Sequence, residues 1–340
     1  MTELREFVAP AQRRAGAAVA PPVLTMRASD GATAEVHRHG AHVTSWRPMG
    51  DTEDRLYLSA RSEFEGSAAI RGGVPVIFPQ FAAEVHRHGA HVTSWHPAGD
   101  AENRLYLSPR SEFGGSAAIR GGVPVIFPQF AAEGPLPRHG FARTSLWSLG
   151  GIGRKSDGTA EVDFVLRDDP RTRAIWDASF KAVLAVSVIA RQLAITLRVE
   201  NVGETTFSFT AALHTYLRVR DVDEAEIHGL RGTLYRVSGD RTLVADDADH
   251  LVLHDYVDRV YVGAPPRLEL REPDRALIVE AEGFRDAVIW NPGHERAAAL
   301  HDLEPGDEKR FVCIEAAAVQ TPITLGAGRR WAGTQTLTAR

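Results

Sequence analysis

Residues 34–82 recur almost verbatim as residues 83–131. Ala34-Glu35-Val36-His37-Arg38-His39-Gly40 returns as Ala83-Glu84-Val85-His86-Arg87-His88-Gly89, and the match runs on to Gln80-Phe81 and Gln129-Phe130. Only six of the 49 paired positions differ. Solenoids stack several diverged units at a fixed period, whereas two near-identical units with no third point to a tandem duplication inside one domain. The working unit is then a 291-residue plan, 340 less 49, that carries an insert. Such a plan has one place for the segment, and the two copies compete for it.

The rest of the chain reads as strands bounded by turn residues. In Leu193-Ala194-Ile195-Thr196-Leu197-Arg198-Val199-Glu200 the branched residues take odd positions and the polar ones mainly even positions, the period of a half-buried strand. Similar runs cover 160–166, 180–190, 207–219, 267–270, 276–281, 287–290 and 311–319. Residues 170–178 read as a short helix or helical turn, and 1–17 as a frayed one. Many short strands without a βα alternation predict an all-β class, a large antiparallel sandwich of two packed sheets. Residues 22–340 are read as one such domain containing the duplicate, after an N-terminal extension, 1–21, that is partly disordered. Gly72-Gly73 and Gly121-Gly122 lack the spacing and the following helix of a dinucleotide loop, and Gly150-Gly151-Ile152-Gly153 reads as a flexible hairpin tip.

A net charge of −5 offers no footprint for nucleic acid or an anionic membrane, so a small-molecule partner is expected. Cys313 is the lone cysteine, which rules out an intrachain disulfide and a thiolate metal site built from this chain alone. Charges are scattered through residues 1–20, which gives no signal-peptide core, and no stretch of about 18 apolar residues is present. A cytoplasmic protein is expected.

Four places could carry chemistry. On the run 207–219, Ser208, Thr210, Ala212, His214, Tyr216 and Arg218 share the face opposite Phe207, Phe209, Ala211, Leu213, Leu217 and Val219. His214 is either an ordinary hydrogen-bonded strand histidine or a group lining a cleft. Glu315 interrupts the apolar run 311–319 with no local cation, so it either pairs with a distant arginine or serves a ligand. Pro137-Arg138-His139-Gly140-Phe141-Ala142-Arg143 makes a turn that presents His139 and Arg143. Arg120 and Gln129, with their twins Arg71 and Gln80, sit in an apolar, proline-framed stretch that would hold their tips rigidly. The histidines at 37, 39 and 42, repeated at 86, 88 and 91, have no acidic or cysteine companion, and no metal is expected there.

Arg-Gly-Gly-Val-Pro-Val-Ile-Phe-Pro-Gln-Phe, Arg138 to Arg143, Leu213-His214-Thr215-Tyr216, Asp258-Arg259-Val260-Tyr261, Trp290-Asn291-Pro292 and Val312-Cys313-Ile314-Glu315 occur in one order. That ordered set resembles the aldose 1-epimerase superfamily, and within it the hexose-6-phosphate mutarotase (glucose-6-phosphate 1-epimerase) branch. The resemblance runs from about Pro22 to the C-terminus. It implies a sandwich of the galactose mutarotase type and a reaction without cofactor or metal that interconverts the α and β anomers of an aldose. It also implies His214 and Glu315 as the catalytic pair, His139 and Asp258 as sugar contacts, and Arg120 (or its twin Arg71) and Arg143 as arginines near a phosphate. Ring opening takes a proton from the O1 hydroxyl and gives one to the ring oxygen, which calls for one base and one acid facing each other across the sugar. Ordinary pKa values assign Glu315 as base and His214 as acid. A sugar phosphate is thus the expected partner.

The competing reading is a non-catalytic carbohydrate-binding or sugar-sensing module on the same sandwich. It would keep the arginine and aromatic contacts without needing the His214 and Glu315 pair. A monomer is expected, with exchange of duplicated strands offering a route to a swapped dimer. The second copy runs directly into the Arg138-His139-Gly140 turn, so Arg120 and Gln129 are expected to line the pocket and Arg71 and Gln80 to lie in a surface insertion.

Overall fold

The computed structural model describes residues 23–37, 42–59, 82–114 and 117–340. The extension 1–21, including the helix expected over 1–17, and the twins Arg71 and Gln80 lie outside the described residues. Where the sequence suggests one domain over 22–340, the chain divides into two compact units between Phe78 and Pro79.

The first unit holds a three-stranded antiparallel sheet of Val23–Arg27, Thr33–His37 and His42–Arg47. The second repeats its hairpin as Ala82–His86 and His91–His96. Both hairpins carry a register shift at the same place, Glu35/Val36 and Glu84/Val85. The Trp46 backbone N–H donates to Asp54 Oδ1 at 3.0 Å, and the Trp95 N–H to Asn103 Oδ1 at 2.9 Å. The same sequence therefore builds the same local structure twice. Surroundings separate the copies: Trp46 is 47% exposed and Trp95 is fully buried.

In the second unit two antiparallel sheets enclose the core. Nine strands lie in the order His250–Val252, Glu226–His228, Arg267–Glu272, Arg275–Glu282, Arg330–Ala339, Gln192–Asn201, Phe180–Ile189, Ala160–Arg167, Ser148–Arg154. The facing sheet orders Val244–Ala245, Leu234–Val237, Val257–Val262, Asp286–Asn291, Phe311–Leu325, Phe207–Leu213 and Val125–Ile126, with Tyr216–Arg218 also paired to Phe311–Leu325. Leu184, Ile195 and Leu337 from the first sheet pack with Phe209, Ile289 and Ile314 from the second in one cluster. The helix Pro170–Ile175 is closed by a capping box of Asp169 with Thr172, shorter than the 170–178 reading because Trp176 is already extended. No helix among the described residues is long and apolar enough to cross a membrane.

Two expectations are corrected. Gly150-Gly151-Ile152-Gly153 is not a hairpin tip but part of the edge strand Ser148–Arg154, whose residues are all exposed, so small side chains lose no packing there. The turn follows at Lys155 to Thr159. The run 207–219 is two strands broken at His214 and Thr215, where the Thr215 hydroxyl bonds Gln335.

The smaller sheet is buried on both faces. Ile126, Ala212, Val260, Val288, Ala317 and Val319 form a second cluster away from the main core. That is why the strand Phe311–Leu325 reads as continuously apolar through Val319 rather than alternating. It is also the face that carries the site.

Candidate active site

Strand parity gathers the site. Residues of alternate number share a face, and on the smaller sheet the face opposite the main core presents Asp258, Trp290, Glu315 and His214 from four chain segments. Asp258 is registered against Trp290, and Val288 against Glu315. With the 118–143 loops they line a cavity of about 290 Å³, to which Arg120, Arg138, His139, Arg143 and Tyr216 also contribute.

The second copy of the repeat supplies the near wall. Val125 and Ile126 pair with Leu213 and Ala212, and Pro124 O accepts the His214 backbone N–H at 3.0 Å. Gly122 has φ +58°, and a Cβ there would lie 2.2 Å from Val92 O. Gly140, at φ +66°, would bring a Cβ to 2.1 Å from Phe127 O. Both positions thus demand glycine. The neighbouring His139 also has φ +66°, which turns its ring into the cavity side of the loop.

His214 Nε2 lies 3.2 Å from Glu315 Oε1, with both side chains nearly inaccessible. Tyr216 stacks on the His214 ring at 4.9 Å and 14°, while Trp290 and His139 meet it edge-on at 5.6 and 5.9 Å. These rings fix the imidazole plane. Burial pushes the Glu315 carboxyl well above its usual range, with Asp258 adding to the effect and Arg143 opposing it. Burial likewise drives His214 well below its usual value, helped by His139, Arg143 and Arg120. Each charge is opposed by burial, so the two groups titrate as one unit in which the proton-transferred and neutral forms are tautomers across the 3.2 Å contact.

His139 is held at about 3 by burial and then by Arg143, Arg138 and Arg120, so it is neutral near pH 7. Its Nδ1 accepts the Ala131 N–H at 3.2 Å, which leaves Nε2 as the N–H donor. Asp258 accepts from the Tyr256 hydroxyl at 3.1 Å, and burial raises its carboxyl. Among the described residues the Arg143 guanidinium bonds the Arg138 carbonyl, at 3.4 Å, and burial weakens its hold on its proton. Three buried polar atoms of cavity-lining residues have no hydrogen-bond partner among the described residues: His214 Nδ1, Glu315 Oε2 and Arg143 Nε. A buried polar atom is costly unless bonded, which marks this cluster as one that a polar ligand would relieve.

The expected residues thus meet, with changes. Glu315 has no arginine salt bridge among the described residues; its contact is His214. His214 and Glu315 stand side by side, 3.2 Å apart, rather than facing each other across the cavity. Arg120 lines the cavity but is already bonded to Asp302, at 3.1 and 3.0 Å, and to the Tyr216 hydroxyl at 3.0 Å. Gln129 does not line it: its amide accepts from Leu136 N at 2.9 Å and donates to Leu136 O at 2.8 Å, clamping the loop from beneath. The second copy's histidines take separate partners. His88 and His91 turn to the carbonyls of Ala117 and Gly121, and His86 packs on Phe113. Sequence reasoning did not assign roles to Tyr216, Trp290 and Asp302. The first two lay in quoted motifs, while Asp302 comes from a loop with no signal.

The sequence profile described as aldose 1-epimerase matches residues 22–89 and again 79–338, restarting within the repeat. A protein of Cenchrus ciliaris named "Putative glucose-6-phosphate 1-epimerase" is 35% identical over 326 residues, covering 93% of this chain and 84% of its own. An Escherichia coli protein of the same name is 35% identical over 288 residues, covering 82% and 77%. Among solved structures, one described as a "putative mutarotase" from Salmonella typhimurium superposes with a TM-score of 0.71 at 24% identity, over 95% of each chain.

Proposed function

The chain belongs to the aldose 1-epimerase family and is an isomerase, and from that premise we propose that it interconverts the α and β anomers of a hexose 6-phosphate, glucose 6-phosphate foremost. The observation that carries this reading is the buried His214–Glu315 contact in a cavity whose three unpartnered polar atoms belong to an acid, a base and a cation.

In the active tautomer Glu315 is carboxylate and His214 imidazolium. Glu315 takes the proton of the O1 hydroxyl while His214 gives one to the ring oxygen, the C1–O5 bond breaks, and the open aldehyde forms. After rotation about C1–C2, the O5 hydroxyl adds to the other face of the carbonyl. Its proton returns to His214, and Glu315 gives its proton back to O1. No net proton or electron is exchanged. His139 Nε2 as donor and Asp258 as acceptor suit the ring hydroxyls. Of the three cavity arginines Arg120 is held by Asp302, whereas Arg138 and Arg143 have no carboxylate partner among the described residues, and Arg143 is the one we assign to a phosphate dianion.

Anomer exchange of glucose 6-phosphate and of free glucose, followed by polarimetry or NMR, tests this. A charge-assisted contact is worth roughly 1.5–3 kcal/mol, so Arg143→Gln should raise the KM for the phosphate by about 10- to 100-fold and leave free glucose unchanged. Equal exchange of both sugars by the parent protein would rule out a phosphate requirement while leaving the epimerase reading intact.

A further inference from the structure

We propose that Glu226, His228 and His250 form a binding site for a zinc-class divalent cation on the outer face of the larger sheet. His228 and His250 are direct cross-strand partners in the edge pair Glu226–His228 and His250–Val252. Glu226 is two residues from His228 and shares its face, while Ile227 and Leu251 point into the core. The rings stack with centroids 5.2 Å apart. Both Nε2 atoms turn to one carboxylate, His228 at 2.8 Å from Oε2 and His250 at 3.7 Å from Oε1. One donor atom from each of the three residues falls within a span of 4.8 Å.

Tetrahedral zinc, with bonds of about 2.0–2.2 Å, holds its donors roughly 3.3 Å apart, and the two measured distances bracket that spacing. A set of two imidazoles and a carboxylate suits borderline cations such as zinc better than calcium or magnesium. The partner that would otherwise neutralise Glu226 is engaged elsewhere: Arg271, registered opposite Glu226, bonds Glu269 at 2.8 Å. His250 and Glu226 are 40% and 42% exposed, which leaves the fourth position to water.

None of the three lines the catalytic cavity, which draws on the other sheet and its loops. The ion would act as a clip between an edge strand and its neighbour. Sequence alone hides the trio because the pairing of two distant strands brings it together.

Isothermal titration of the EDTA-treated full chain with zinc, and visible absorption of the Co(II) form, test the proposal. One ion per chain with a four-coordinate cobalt spectrum is expected. Losses in the outer shell of a metal site alone cost roughly 10–100-fold in affinity, so loss of two direct ligands in His228→Gln/His250→Gln should weaken binding by at least about 100-fold. Zinc should also raise the Tm of the parent and not of that variant. Should the double variant melt early in EDTA, Glu226→Gln repeats the test with packing kept. Parent-like zinc affinity in these variants, or no uptake by the parent at near-millimolar zinc, would overturn the site.

Discussion

Glu315→Gln is expected to lower anomer exchange by at least about 100-fold, the scale of general acid/base contributions, while making the protein more stable above neutral pH. The sign follows from burial, which lifts the Glu315 carboxyl well above its usual value of 4.5. A raised acid keeps its proton in the folded chain after the unfolded chain has lost it. The stability it contributes is complete below about 4.5 and drains away as pH rises through the folded value. Glutamine does not titrate, so the Tm difference, variant minus parent, should grow from pH 5 to pH 8. His214 runs the other way: burial, then His139 and Arg143, depress it, so its contribution is intact above its usual 6.5 and falls only as pH drops through the lower folded value. It does not cancel the glutamate trend at pH 8. His214→Asn should cost exchange equally. Exchange unaffected by Glu315→Gln would remove that residue from the mechanism, and a Tm difference flat with pH would refute the burial argument.

The duplication provides its own control for core energetics. Trp95→Ala should cost about 3–5 kcal/mol, the usual loss for a large buried aromatic, whereas Trp46→Ala should stay within about 0.5 kcal/mol. Trp95 is buried in the main core and Trp46 is 47% exposed, although both sit in the same kind of hairpin with their backbone N–H groups on equivalent acceptors, Asn103 and Asp54. Urea denaturation of the two variants measures this directly. Equal losses would mean that the second copy does not hold the core position.

Local signals in the sequence carried far where one rule governed. The alternation over Leu193–Glu200 marks Gln192–Asn201, whose residues alternate between buried and half-exposed. His214 stood out because it lies on a polar strand face long enough to line a cleft, and Glu315 because it puts a charge into an apolar run. Rules for a sheet with one wet face failed on Phe311–Leu325, since that sheet is covered on both sides. Long-range pairing was illegible. Nothing local ties Asp302 to Arg120, 182 positions away, and so Arg120 looked like a free cation. Gln129 had the right environment for a ligand contact, but its amide matches a backbone donor and acceptor at Leu136 seven residues on.

The strand Val23–Arg27 pairs with Thr33–His37, while the matching edge of Ala82–His86 meets no strand among the described residues other than His91–His96. The two edges spell the same four residues, Ala-Glu-Val-His. The ladder that Val23–Arg27 does form closes a loop of only residues 28–32, a short connection whose ordering costs little entropy, so the first copy's hairpin takes its third strand from the chain that immediately precedes it.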